Sequence, residues 1–344
     1  MNIEEMLIKP KTLSLLTTYK CTSSCKNCCF GCNPKIDARL DINEMKHYID
    51  ITLKSYKDSL KVLVLTGGEC FLLGNELDEI ISYAKENDLM VRVVTNGYWA
   101  KNYDETYERL KTLINLGLSE INFSTGDDHL EWTPYENIVN GCVASVELGI
   151  MCVVNVERHD KSEFTAKRFF EDTRLKEIMN DESKRNLLKI ESGIWISFNN
   201  EDSLTYNNVP IYDSNVQGCT ALFNTIAINP YSEIIACCGL TSEYIKCMRL
   251  GNLRKDNISI KEVWENQFFD FIKIWLFTEG PLKILNFIQE KKGSNHNYSN
   301  RHICDICGEI FKNQQNINIL QNCYKEVLPT IILKYSLLRE SINN

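Results

Sequence analysis

The segment Cys21-Thr-Ser-Ser-Cys25-Lys-Asn-Cys28 sets three thiols in the pattern C-x-x-x-C-x-x-C. Three thiolates on so short a loop can wrap one corner of an iron–sulfur cube and leave its fourth iron open to an outside ligand. A structural zinc site, with Cys29 or Cys32 as fourth ligand, is the competing chemistry for the same residues. More groups able to do chemistry are spaced along the first half of the chain: Gly67-Gly-Glu69 followed by Cys70, Thr95-Asn-Gly97, Ser124-Thr-Gly-Asp-Asp-His129, and Asn155-Val-Glu-Arg-His159. Bare glycines let a backbone approach a ligand closely, and a carboxylate accepts hydrogen bonds from an ammonium group. Cys70, Asp127, Asp128, His129 and His159 offer a thiol, acids and imidazoles of the kind that donate hydrogen or move protons, although such residues are more often hydrogen-bonded parts of a loop.

The elements that must position these groups alternate between two kinds. Short β-rich runs occur at 13–19 (LSLLTTY), 61–66 (KVLVLT), 90–95 (MVRVVT), 120–125 (EINFST), 151–156 (MCVVNV) and 194–198 (IWISF). Helix-length segments at 42–58, 76–87, 104–116, 134–148 and 162–180 separate them, the first opened by Asp41 as N-cap with Glu44 as capping-box partner. This is the signature of an α/β fold with a parallel sheet, and right-handed crossovers of six such units curl into a partial (β/α)6 barrel. In barrels of parallel strands, chemistry gathers where C-terminal strand ends feed their loops. The cysteine loop and all four strand-end groups fall at such ends.

After about Phe198 the rhythm changes. A polar stretch at 199–215 precedes two β-rich runs, 223–228 and 233–238, joined across Asn229-Pro-Tyr-Ser232 as a hairpin. A helical pattern at 260–277, a polar loop at 293–300, the pair Cys304-Asp-Ile-Cys307 and a C-terminal helix follow. The stripe carrying Trp264, Phe268 and Trp275 reads as core packing. The expected division is a barrel at 1–205 and a smaller C-terminal domain at 206–344.

Composition narrows the class. Hydrophobic residues make up 44% and charged residues 24% of 344, which is globular rather than disordered. A net charge of −8 argues against a broad nucleic-acid footprint. The N-terminus lacks the basic start and apolar run of a signal peptide, and no stretch reads as a membrane span, so a cytoplasmic protein is expected. Fifteen cysteines in such a chain are too many for casual core filling and point to metal or iron–sulfur ligation.

The cysteine pattern, with GGE after the second strand and TNG ending the third, resembles the radical S-adenosylmethionine (SAM) superfamily. That resemblance implies a [4Fe–4S] cluster on Cys21, Cys25 and Cys28, whose open iron takes the amino and carboxylate groups of SAM. It further implies that Gly67, Gly68 and Glu69 line the methionine amino group, and that Thr95, Asn96, Ser124 and Asn155 contribute to the SAM pocket. Two positions depart from the common pattern. Asn27 stands where an aromatic residue often precedes the third cysteine, and Ser124-Thr-Gly-Asp127 stands where many peptide-modifying relatives have S-x-D-G. Adenine packing and the part played by Asp127 are left open by these departures.

The C-terminal third resembles the SPASM/Twitch extension, which implies one auxiliary [4Fe–4S] cluster on Cys219, Cys237, Cys304 and Cys307. Cys238 competes with Cys237, because neighbouring strand residues face opposite ways, and spacing favours Cys237. Zinc on the same four thiols is again the alternative. Cys142 and Cys152 read as core residues, and Cys247 and Cys323, which could support a second auxiliary cluster, read first as buried free thiols. The implied activity is reductive cleavage of SAM to a 5′-deoxyadenosyl radical, which takes hydrogen from a substrate at the barrel mouth, with Cys70, Asp127 or His129 finishing the reaction. Ribosomally made peptides or protein side chains, altered by crosslinking, epimerisation or oxidation, rank first as substrates, then small molecules. A reducing partner such as flavodoxin or ferredoxin is implied, with no nucleic-acid or membrane partner. From another class, the chain would be a zinc-stabilised binding module without turnover.

Overall fold

The structure, a computed structural model, describes residues 7–194, 196, 198, 218–294 and 301–343. Six parallel strands form the barrel wall: β1 (Thr12–Thr18), β2 (Val62–Gly67), β3 (Met90–Thr95), β4 (Leu118–Thr125), β5 (Met151–Arg158) and β6 (Leu188–Ile194). Between them lie α1 (Ile42–Tyr56), α2 (Asn75–Glu86), α3 (Tyr103–Leu116), a single turn α4 (Asp127–Leu130), α5 (Tyr135–Glu147), α6 (Lys167–Glu171) and α7 (Thr173–Asn180). Alternate strand residues such as Leu13, Leu65, Val93, Phe123 and Val154 are buried with the helices in one core. Full burial of an aliphatic side chain is worth about 1.5–3 kcal/mol, so this alternation fixes the register of every strand. The other face of each strand turns to the barrel lumen and carries Arg92, Glu120, Asn122, Ser124 and Asn155.

Asp41 and Glu44 form the expected capping box at α1, each side chain bonded to the other's backbone N–H. Three expectations need correction. The sixth strand is β6, Leu188–Ile194, rather than the apolar run at 194–198, of which residues 195 and 197 fall outside the described residues, as does the polar stretch at 199–215. β6 is the last strand of the sheet, with Lys189 and Glu191 in it, so it lacks the apolar run by which inner strands are recognised. The helix expected at 162–180 is two short helices, divided where Asp172 turns extended and caps α7 by accepting from the N–H of Arg174. The pattern at 260–277 divides in the same way: α8 (Ile260–Glu265) ends, and Asp270 caps α9 (Phe271–Lys292) through the N–H groups of Ile272 and Lys273.

The hairpin is present as β7 (Thr225–Ile228) and β8 (Glu233–Ile235), followed by β9 (Arg249–Asn252). It continues the barrel sheet: β7 pairs in parallel with β1, giving one nine-stranded sheet in the order β6-β5-β4-β3-β2-β1-β7-β8-β9. α10 (Ile303–Lys312), α11 (Gln314–Cys323) and α12 (Leu328–Asn343) complete the described chain, with α10 and α12 packed on α9. Among the described residues no helix is long and apolar enough to cross a membrane.

Candidate active site

Strand β1 ends in the cysteine loop. Its start is fixed by backbone bonds from Tyr19 N to Ala38 O (2.9 Å) and from Cys21 N to Asn33 O (3.3 Å), and a turn from Cys28 N to Cys25 O (3.3 Å) brings the second and third thiols together. Cys21 is buried; Cys25, Cys28 and Cys29 are half-buried. Burial pushes the Cys21 thiol up to about 11 and raises that of Cys25 as well. Cys28 is lowered to about 6 because the Cys32 thiol bonds to it, which places Cys32 directly against the third cysteine.

The GGE segment lies on the start of this loop. Gly68 N donates to Thr18 O (2.6 Å) and Glu69 N to Lys20 O (2.9 Å). A Cβ on Gly68 would sit 2.2 Å from Lys20 O, so only glycine allows this approach. The Glu69 carboxylate turns inward and is fully buried. It accepts from Thr95 Oγ1 (2.9 Å), Asn96 N (2.8 Å) and Phe71 N (3.0 Å), and burial pushes its pKa up to about 7. Those bonds occupy most of a carboxylate's acceptor sites, so Glu69 fastens the GGE turn to the TNG turn, while Gly67 and Gly68 pack against the backbone of Thr18 and Lys20. Thr95 also receives Gly97 N and Trp99 Nε1, both at 3.1 Å.

Asn96 joins TNG to the cysteine loop. Its amide donates to Thr22 Oγ1 and Ser23 Oγ, both at 3.0 Å, and lies 3.5 Å from Cys21 Sγ, which also receives Ser23 N at 3.4 Å. Hydrogen bonds of this kind are what a cluster-bound thiolate accepts. Among the described residues no three thiol, imidazole or carboxylate groups converge closely enough to hold a single metal ion. The donors aimed at Cys21 from Asn96 and Ser23 suit a thiolate bound to an iron–sulfur cluster.

Ser124 and Asn155 face each other in register on β4 and β5, half-buried in the lumen wall. Below them Arg92 pairs with Glu120 (Nη2 to Oε2, 2.9 Å). The three strand-end candidates for finishing the reaction differ sharply. Cys70 is fully buried and donates to Val94 O at 3.3 Å. Asp127 accepts from Glu163 N (2.9 Å) and Phe164 N (2.8 Å), which commits its carboxylate to the loop after β5. His129 sets Nδ1 3.0 Å from Oε2 of buried Glu157. His159 serves its own turn, accepting from Lys161 N. Sequence reasoning passes over Glu157; an acid two residues after Asn155, at the same strand end, was the available signal.

The four C-terminal cysteines expected as ligands share one cavity. Cys219, Cys237, Cys304 and Cys307 line one apolar cavity of about 250 Å³, closed by Leu222, Ile245, Met248, Leu276 and Pro281 among others. Cys219 is anchored by its N–H to Leu276 O (2.9 Å) and Cys304 by its carbonyl to Thr241 Oγ1 (2.7 Å). A side chain at Gly239 would begin 3.2 Å from Cys304 Sγ and 3.5 Å from Cys237 Sγ. Burial raises the Cys237 and Cys307 thiols and takes Cys304 to about 12, so they stay protonated until a metal displaces the protons. A cavity of this size lined by four thiols fits an iron–sulfur cluster. Cys238, by contrast, is exposed and not part of its lining, and neither are Cys247 and Cys323, which are exposed and half-buried rather than buried as expected. Cys142 and Cys152 lie Sγ to Sγ at 3.8 Å in the helix-side core.

Comparison with known proteins places the geometry in context. Residues 15–155 match the family model described as the Radical SAM superfamily, a span that runs from the cysteine loop to Asn155. YydG of Bacillus subtilis (strain 168), which carries the name of a peptide biosynthesis protein, is 23% identical over 322 residues, covering 90% of this chain and 94% of YydG. Among solved structures, native anSMEcpe with bound AdoMet shares the fold with a TM-score of 0.54 at 11% identity, over 96% of this chain and all of that one. BtrN in complex with AdoMet and 2-DOIA gives 0.47 at 15%, over 81% of this chain and 91% of BtrN. Both the strand-end groups and the family match fall on one partial barrel, and residues 15–155 of the chain form a domain of the radical SAM superfamily of enzymes.

Proposed function

We propose that this radical SAM enzyme modifies a ribosomally made peptide or a protein side chain, with Cys21, Cys25 and Cys28 holding the SAM-binding cluster and Cys219, Cys237, Cys304 and Cys307 a single auxiliary [4Fe–4S] cluster. When bound, the first cluster and SAM supply an electron and a 5′-deoxyadenosyl radical able to take a hydrogen atom from the substrate. The chain's own part is placement. Asn96 holds the start of the cysteine loop, Gly67 and Gly68 let the GGE turn pack on that loop's backbone, where it would line the methionine end, and Ser124 and Asn155 reach into the lumen where the nucleoside would lie. Among the three candidates, His129 on Glu157 is the one able to hold and pass a proton.

The observation that carries the peptide reading is the reach of the similarity to YydG, over nine tenths of the chain and well past the family match at 15–155. A lumen with a charged pair and amides on its wall is also suited to the polar main chain of a peptide. Electrons would come from a flavodoxin or ferredoxin. The test is anaerobic co-expression with each short reading frame flanking the gene, followed by mass spectrometry and chiral amino-acid analysis of the products. A changed mass or a D-residue that disappears in Cys25→Ala supports the reading. Unaltered peptides, together with 5′-deoxyadenosine formation stimulated by a small-molecule extract, favour a small-molecule oxidase. No 5′-deoxyadenosine under any condition overturns both.

A further inference from the structure

The two departures from the family pattern, Asn27 and Gly126, are joined through Asp128 and Glu157. Asn27 is buried in the middle of the cysteine loop, between the second and third cluster cysteines. Its backbone N–H (2.8 Å) and its side-chain amide (3.0 Å) both donate to Oδ2 of Asp128, and its Oδ1 accepts from Phe198 N at 3.4 Å. Asp128 is itself held: its N–H donates to Oε1 of Glu157, whose other oxygen bonds His129. Glu157 reaches this position only because residue 126 has no side chain. Gly126 stands at φ +135°, and a Cβ there would fall 1.9 Å from Glu157 Cγ. A glycine at 126, an acid at 157, an acid at 128 and an amide at 27 thus form one continuous bridge from the β4 and β5 ends to the cysteine loop.

We propose that Asp128 is a positioning residue for the SAM-binding cluster, acting through Asn27. The loop is gripped at two points on opposite sides, at Thr22 and Ser23 by Asn96 and at Asn27 by Asp128. With only the first grip, Cys21 is placed but Cys25 and Cys28 are free to swing on their turn. The second fixes Asn27, and with it the turn that carries Cys25 and Cys28, against the strand ends. Where relatives place an aromatic ring beside the nucleoside, this chain has an inward-facing amide whose partner is a carboxylate on the wall. The inference rests on the reading that Cys21, Cys25 and Cys28 hold the cluster.

The test compares Asp128→Ala, Asp128→Asn and Asp127→Ala after anaerobic iron loading. Cys25→Ala is the control for the underlying reading: if it keeps the reducible cluster signal of this loop, that reading fails independently of Asp128. Asp128→Ala is expected to retain its iron, to need at least tenfold more SAM for half-maximal change of the reduced-cluster EPR signal, and to keep its saturated 5′-deoxyadenosine rate within about threefold. Asp128→Asn, whose Oδ1 can accept both bonds, should restore SAM affinity to within about threefold. If Asp128→Ala loses its iron instead, amide exchange in the metal-free protein decides: faster exchange confined to 21–33 supports the bridge. Unchanged SAM affinity in Asp128→Ala, an equal loss in Asp127→Ala, or uniform exchange across the chain overturns it.

Discussion

The side-chain amide of Asn96, at the end of β3, lies 3.5 Å from the sulfur of Cys21, at the end of β1. Two strands apart in the sheet order, the residues touch because the loop after β1 folds across the mouth of β2. A thiolate at Cys21 is therefore met by a donor that also ties down Thr22 and Ser23. Hydrogen bonds to charged groups contribute about 1.5–3 kcal/mol each. Asn96→Ala should lose iron to a chelator at least tenfold faster than the unaltered chain, and Asn96→Asp, which sets an acceptor and a charge against the sulfur, faster still. Equal chelation rates in all three would mean that this contact does not hold the cluster.

Gly68 gives a test of close approach. Gly68→Ala forces a methyl into Lys20 O at 2.2 Å, so the backbone must retreat and the GGE turn must leave the cysteine loop. SAM binding should fall by more than tenfold. Gly193→Ala, in β6 with open space where its Cβ would go, is the matching control and should bind SAM normally. Isothermal titration of iron-loaded protein measures both.

Glu69 makes stability depend on pH in a direction opposite to that of most carboxylates. Its pKa is raised by burial from 4.5 to about 7, so the folded state favours the neutral acid. The contribution is fully present below about pH 4.5 and is lost as pH rises through 7, by up to about 3 kcal/mol. The metal-free protein should accordingly melt at a lower temperature at pH 8 than at pH 6, and Glu69→Gln should flatten that difference. A melting temperature that rises between pH 6 and 8 in the unaltered chain, and still rises in Glu69→Gln, would show that Glu69 is ionised without penalty.

Iron counting separates Cys237 from Cys238. Reconstituted protein should carry about eight irons, four per cluster. Cys237→Ala removes a thiol from the cavity wall and should leave about four, whereas Cys238→Ala, outside that wall, should leave the count unchanged. The reverse outcome would exchange the two assignments, and about twelve irons would require a second auxiliary site.

Sequence periodicity found the barrel because its inner strands alternate between a helix-side core and a lumen, and because the α1 capping box is written in adjacent residues. β6 was misplaced because an edge strand bearing Lys189 and Glu191 lacks that contrast. The resemblance to the SPASM/Twitch extension also pointed to the four thiols that line one cavity, two flanking a hairpin and two one turn apart on a helix, and spacing favoured Cys237 over Cys238 among them. What spacing could not supply is direction. Glu69 sits in the GGE segment, but nothing in its neighbours says that its carboxylate is bonded by Thr95 and Asn96. The links from Asn27 to Asp128 and from Asp128 to Glu157 span 101 and 29 residues, beyond any local pattern.

The pairing of β7 with β1 has a consequence for how the chain is made. β1 lies inside the finished sheet, yet one of its two neighbours begins at Thr225. During synthesis the strand that leads into the cysteine loop therefore has a bare edge for roughly 10 to 40 s at ordinary ribosome speeds, while the residues up to Asn224 are added. An unpaired apolar strand is a template for other chains. Nascent chains released before Thr225 should aggregate, or be found on chaperones, where the full-length chain is not, and delivery of iron and sulfide to Cys21, Cys25 and Cys28 should come after release from the ribosome.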